Sequence, residues 1–193
     1  MKSQPFNIVF LVLLVVFFAS CDAVKRVGEK EHLLVNNTIV VNNKKVNTER
    51  INNLLYQSPN RKLLGIPLRL HIYNTARPNI DSIVDEKINR NPKHKERLER
   101  FLSKKQLDNY LQAKIDFNSW LKKTGEAPVI VNDVRTKKSL NQLEAYYFNN
   151  GWFNVKASSK TDTLSNKKAS VNYTVNTGKA YFVDSLTTSI DSP

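Results

Sequence analysis

The stretch Leu143-Glu144-Ala145-Tyr146-Tyr147-Phe148-Asn149-Asn150-Gly151-Trp152-Phe153-Asn154-Val155 decides how the C-terminal part of this chain folds. Leu140, Leu143 and Tyr147 stand at i, i+3 and i+7, which lie on one face of a helix. Thr136 is the expected N-cap, and Gly151 after Asn149-Asn150 the expected C-terminal stop. The period then changes from 3.6 to 2. Phe153, Val155 and Ala157 alternate with polar residues, and after a loop placed at Thr161 to Asn166 so do Ala169, Val171, Tyr173 and Val175. Alternation of this kind predicts a hairpin with one face against the helix. Its apolar face is expected to bury Val155, Val171, Tyr173 and Val175 on Leu140, Leu143 and Tyr147. Asn176-Thr177-Gly178 turns the chain, and Tyr181 to Ile190 reads as a further extended segment.

Upstream, Leu33 to Val41 is rich in Val and Ile and reads as a strand. Asn42-Asn43 makes a turn, Lys44 to Val46 extends briefly, and Asn47 is the expected cap of a helix over Thr48 to Gln57, with Ile51, Leu54 and Leu55 inward. Ser58-Pro59-Asn60 stops it. From 61 to 90 the apolar residues Leu63, Leu64, Ile66, Leu68, Leu70 and Ile72 give no decisive period. Asn91-Pro92 is a good helix start. Lys93 to Lys123 then has helical character, with Leu107, Tyr110, Leu111, Ile115, Phe117, Trp120 and Leu121 in a broad stripe. After Gly125-Glu126-Ala127-Pro128, Val129 to Val131 is a short extended piece.

The N-terminus sets the compartment. Ile8 to Ala19 is an unbroken apolar run, and twelve helical residues span about 18 Å against a bilayer core of about 30 Å. That suits the h-region of a signal peptide. It ends Phe18-Ala19-Ser20-Cys21, with the only cysteine of the chain after two small residues. The pattern resembles a bacterial lipobox, which implies a signal peptide at 1–20, lipidation of Cys21, and a tether over 21–31. A free thiol at a cleavage point by coincidence is the plainer alternative.

Composition limits the rest. With 193 residues, the chain accommodates one or two small domains. One Cys and three scattered His (His32, His71, His94) offer neither a disulfide framework nor a Cys/His zinc pattern. The five glycines form neither of the common phosphate-binding loops. No Ser/His/Asp set can be argued from spacing, so the chain is read as a non-enzyme, with no metal or cofactor expected. The net charge of +13 points to an anionic partner. It is densest from Arg90 to Lys105, where Arg90, Lys93, Lys95, Arg97, Arg100, Lys104 and Lys105 face only two Glu. A solvated helix face is the bland reading, and a patch facing lipid head groups the sharper one. Export past the cytoplasm argues against nucleic acid.

Residues 143–155 resemble the segment that closes the second helix of a POTRA domain and opens its second strand, with Trp152 where Tyr is usual. Val171 to Val183, through Gly178 and Tyr181, is similar to the third strand and the turn into the next repeat. Together with Leu33 to Ser58, the Pro59-Asn60-Arg61-Lys62-Leu63-Leu64-Gly65 motif and the lipobox, the chain resembles the lipoprotein branch of the BamA/TamA outer-membrane assembly family. The resemblance implies an α+β fold of order β-α-α-β-β, in which a small mixed sheet packs on helices. A POTRA-like domain would run over 32–178, with a basic helical insertion at about 61–128. Residues 179–193 would open a following repeat, with any membrane barrel beyond Pro193. It implies a lipid-anchored protein on the periplasmic face of a Gram-negative outer membrane. Its partners would be unfolded outer-membrane or surface proteins and accessory assembly subunits. The expected client edge is the strand of Phe153, Asn154, Val155, Lys156, Ala157, Ser158, Ser159 and Lys160. The alternative reading is an envelope lipoprotein that binds a polyanion or anionic surface through its insertion.

Overall fold

The computed structural model describes residues 23–90, 92–182 and 185. Cys21, the signal run before it, Asn91 and most of the expected segment 181–190 lie outside the described residues; Tyr181, Phe182 and Ser185 are not in a strand. The chain divides into two compact units, one of Met1–Arg26 and Asn60–Pro128, the other of Val27–Pro59 and Val129–Pro193. The fold class is α+β, with one small mixed sheet.

The second unit holds the sheet. Strand β1 is Leu33–Val41, β2 is Lys44–Val46 and helix α1 is Glu49–Asn52. Helix α6 is Asp133–Asn149, followed by β3 at Lys156–Leu164 and β4 at Lys168–Asn176. The strand order is β2-β1-β4-β3. β1 pairs parallel with β4, while β2 on β1 and β3 on β4 are antiparallel. Asn42 and Asn43 join β1 to β2 with φ of 47° and 64°, a left-handed pair that asparagine tolerates best after glycine. The core gathers Leu34, Ile39, Ile51, Leu143, Tyr147, Val171, Tyr173 and Val175, with Val155 and Leu140 half-buried beside it. The alternation of β4 and the apolar face of α6 therefore meet as their periods require.

Three expectations in this unit are corrected. α1 is one turn rather than a helix to Gln57, because residues 53–59 are held by other bonds. Gln57 is buried; its side-chain amide donates to Thr136 Oγ1 at 2.8 Å, and its side-chain oxygen accepts from the Asn132 N–H at 3.1 Å. Tyr56 N–H also donates to Ser139 Oγ at 2.9 Å. The α1 cap position is Thr48, and Asn47 instead accepts a bond from the Asn52 side chain. The cap of α6 is Asn132, whose side-chain oxygen accepts from Arg135 N–H at 3.0 Å. Thr136 lies one turn inside and donates to the Asn132 carbonyl.

The other unit is helical. α2 is Leu68–Thr75, α3 Ile80–Asn89, α4 Pro92–Phe101 and α5 Lys104–Thr124. The stretch of helical character from Lys93 to Lys123 is two helices, divided before Lys104, where Ser103 and Gln106 form a reciprocal capping box that starts α5. Leu70, Ala76, Val84 and Leu107 are buried here. Asn118 is buried and satisfied from both sides, accepting from Arg77 N–H at 2.6 Å and donating to its carbonyl at 3.0 Å. Gly125 is required by space, since a Cβ there would lie 2.6 Å from the Tyr73 backbone nitrogen.

Candidate functional site

Among the described residues β3 is the outer strand of the sheet beyond β4, so its far side presents backbone groups with no ladder partner among them. Which groups those are follows from one bond. The Ala157 N–H donates to the Glu144 carboxylate at 2.7 Å, which places it on the side away from β4. In an antiparallel pair, successive N–H groups alternate between the partner strand and the outside. The N–H and C=O groups of Ser159, Thr161 and Thr163 therefore face outward, while those of Ser158, Lys160 and Asp162 pair with β4 along the register Ser158↔Thr174, Lys160↔Asn172 and Asp162↔Ser170. Glu144 occupies one end of the open edge and leaves the rest accessible.

Both side-chain faces of β3 are polar. Ala157, Ser159, Thr161 and Thr163 stand opposite the buried Val175, Tyr173, Val171 and Ala169, yet only Ala157 of the four is half-buried. On the other face Lys160 pairs with Asp162 at 3.1 Å, and the Asn172 amide donates to Asp162 at 2.7 Å. Leu164 is about half exposed.

The predicted edge shifts accordingly. Lys156, Ala157, Ser158, Ser159 and Lys160 lie in β3, but Phe153, Asn154 and Val155 precede it. The Phe153 ring lies 5.1 Å from that of Phe148 and 5.4 Å from that of Tyr181. Asn154 donates to the Tyr181 hydroxyl at 3.0 Å, and Val155 packs against the core. Thr161 to Leu164, read as a loop, extend the strand; the loop is Ser165-Asn166-Lys167. Two features were missed. The β-branched Thr161 and Thr163, at alternate positions, were a usable signal for the longer strand. Nothing in the sequence pointed to Glu144.

The predicted basic patch spans three helices of the helical unit. Arg90 is the C-cap of α3 and forms an ion pair with Glu86. Lys93, Lys95, Arg97 and Arg100 are in α4, and Lys104 and Lys105 open α5. Lys93, Arg97 and Arg100 follow i, i+4, i+7 spacing and are exposed, a mainly cationic face that Glu96 shares at i+3 from Lys93. Of the titratable groups with a resolved shift, Tyr147 in the core under the sheet is raised above its ordinary value by burial and then by the neighbouring Tyr146. Among the described residues there is no cluster of three metal-ligating side chains and no helix long and apolar enough to cross a membrane. No family model, curated protein or solved structure matches this chain.

Proposed function

We propose that this chain is the client-binding region of an outer-membrane protein assembly or translocation factor resembling the BamA/TamA family. It receives an extended client segment on the outer edge of β3. The observation that carries the reading is the row of outward N–H and C=O groups at Ser159, Thr161 and Thr163, inferred from the bond that turns Ala157 toward Glu144. An added strand satisfies such groups through main-chain bonds and needs no particular client sequence. The sheet order supports the family resemblance, with parallel β1 and β4 inside and the antiparallel β3 outside. Lipidation at Cys21 would hold the region at the periplasmic face of the membrane, with accessory subunits as further partners. Binding, rather than catalysis, is the proposed activity.

The test is amide exchange with a ten-residue peptide of alternating apolar and polar residues, the pattern of a membrane β-strand. Protection should rise at Ser159, Thr161 and Thr163, and an N-methylated version of the peptide should give none. Protection elsewhere, or equal binding of the N-methylated peptide, refutes the edge. The exposed stripe of Lys93, Arg97 and Arg100 favours a second reading, contact of the helical unit with an anionic surface. Sedimentation with anionic and neutral vesicles separates the two, since only the second reading requires a preference for anionic lipid that falls with salt.

A further inference from the structure

The helical unit contains an apolar groove that the edge of β3 does not involve. It has a volume of about 310 Å³, at the lower end of the size range of small-molecule sites. Ile83 and Val84 of α3, Leu98 of α4, and Leu111 and Leu121 of α5 form its apolar lining. Among the described residues the charged groups of the lining are Arg77, Lys87 and Lys114, with no Asp or Glu. Arg77 is fixed at its backbone by Asn118, and the Lys114 ammonium lies 4.2 Å from the centre of the Tyr110 ring. Tyr110 and Phe117, which also line the groove, and Trp120, stacked on Phe117, are each exposed by roughly half. Three large aromatic side chains exposed along one helix beside an apolar hollow exceed the scattered apolar exposure of an ordinary surface.

We propose that this groove binds a single-chain anionic amphiphile as a monomer, with the acyl chain against the apolar lining and the acidic head group at the cations. An apolar lining alone would take any hydrocarbon. The three cations without a carboxylate select the sign of the head group, and a positive head group would meet repulsion at each of them. The proposal concerns the helical unit alone and stands or falls independently of the β3 edge.

The whole chain is titrated calorimetrically with octanoate, decanoate and dodecanoate below their micelle concentrations, and with decyltrimethylammonium. Each methylene that enters the groove should raise affinity about fourfold until the chain outgrows it. Decanoate should bind at least ten times more tightly than the cationic amphiphile. Arg77→Glu/Lys87→Glu/Lys114→Glu, all at exposed positions, should reverse that preference. Ile83→Trp, which fills the groove, should bring the chain-length plateau to a shorter acid. If the triple variant does not fold, the chain-length plateau of Ile83→Trp still decides. The proposal is overturned by affinity that does not rise with chain length, or by decanoate binding unchanged in the triple variant. It is equally overturned by binding only to anionic vesicles, which indicates a membrane surface, or by a dimer that covers the groove.

Discussion

Thr161→Pro and Lys160→Pro differ by one position in β3, and the first should act mainly on strand binding and the second on stability. The outward N–H of Thr161 makes no bond to β4, so proline there removes no ladder bond. Proline is tolerated on the open side of an edge strand, and its restriction of the preceding residue to extended backbone suits Lys160, already in the strand. The expected change in stability is within about 1 kcal/mol. Lys160 pairs with Asn172, so proline there removes a ladder bond and leaves the Asn172 carbonyl without its donor. A net bond is worth about 0.5–1.5 kcal/mol, and an orphaned group adds a penalty that the exposure of the strand moderates, giving a loss of about 1–3 kcal/mol. The exposed Lys160–Asp162 pair adds little. For client binding the order reverses in meaning. Thr161→Pro withdraws a central donor and sets a ring in the path of the incoming strand, and should weaken strand-peptide binding about tenfold or more. Urea midpoints measure the first quantity, and fluorescence anisotropy of a labelled strand peptide the second. A loss above about 2 kcal/mol for Thr161→Pro would show that its N–H faces β4. Stability unchanged with binding also unchanged would remove the edge from client recognition.

Tyr173 is fully buried, and its hydroxyl has no hydrogen-bond partner among the described residues. Tyr173→Phe should therefore stabilise by about 1 kcal/mol, or about 2–4 °C by calorimetry, whereas Tyr173→Ala should cost about 2–4 kcal/mol; a destabilising Tyr173→Phe would reveal a partner for the hydroxyl. Because the Tyr147 phenol is raised in the folded state, its contribution is fully present below the ordinary tyrosine range near pH 10 and declines as pH rises toward the folded value. Alkaline denaturation of Tyr147→Phe should accordingly show a shallower loss of stability above about pH 10 than the parent, and identical profiles would contradict the burial. Cys21→Ser should abolish labelling of the protein in cells fed an alkynyl fatty acid, and undiminished labelling would exclude Cys21 as the lipid site.

The parts of the fold that were legible are those where one face is apolar and the other polar. β1 occupies Leu33–Val41 as its Val and Ile content suggested, and β4 keeps the alternation of Val171, Tyr173 and Val175. The rest depends on tertiary bonds that leave no periodic mark. Gln57 shortens α1 by bonding to the start of α6, residues 75 and more positions away in sequence. β3 lacks an apolar face, so its limits are set by pairing with β4 rather than by its own pattern. Phe153 looked like a strand residue because it is aromatic and alternates with Val155, yet its ring packs with Phe148 and Tyr181. The break at Ser103 was readable, since Ser103 and Gln106 have capping-box spacing within an otherwise helical run.

The polarity that hid β3 in the sequence also bears on what can pair with it. A nine-residue open edge is a template for any extended chain, including another copy of the same strand. Edges are commonly blunted by lysines, bulges or a covering segment. Here Glu144 occupies one outward N–H, and the lysines at 156 and 160 are exposed. Lys160 is offset by its pair with Asp162, and a register that sets Lys156 of one copy against Lys156 of another brings like charges together. Like charges across neighbouring strands are destabilising, whereas a neutral or acidic strand meets no such opposition and gains the same main-chain bonds. Self-pairing in such a register is opposed by charge, while the backbone groups of the edge remain open to a different strand.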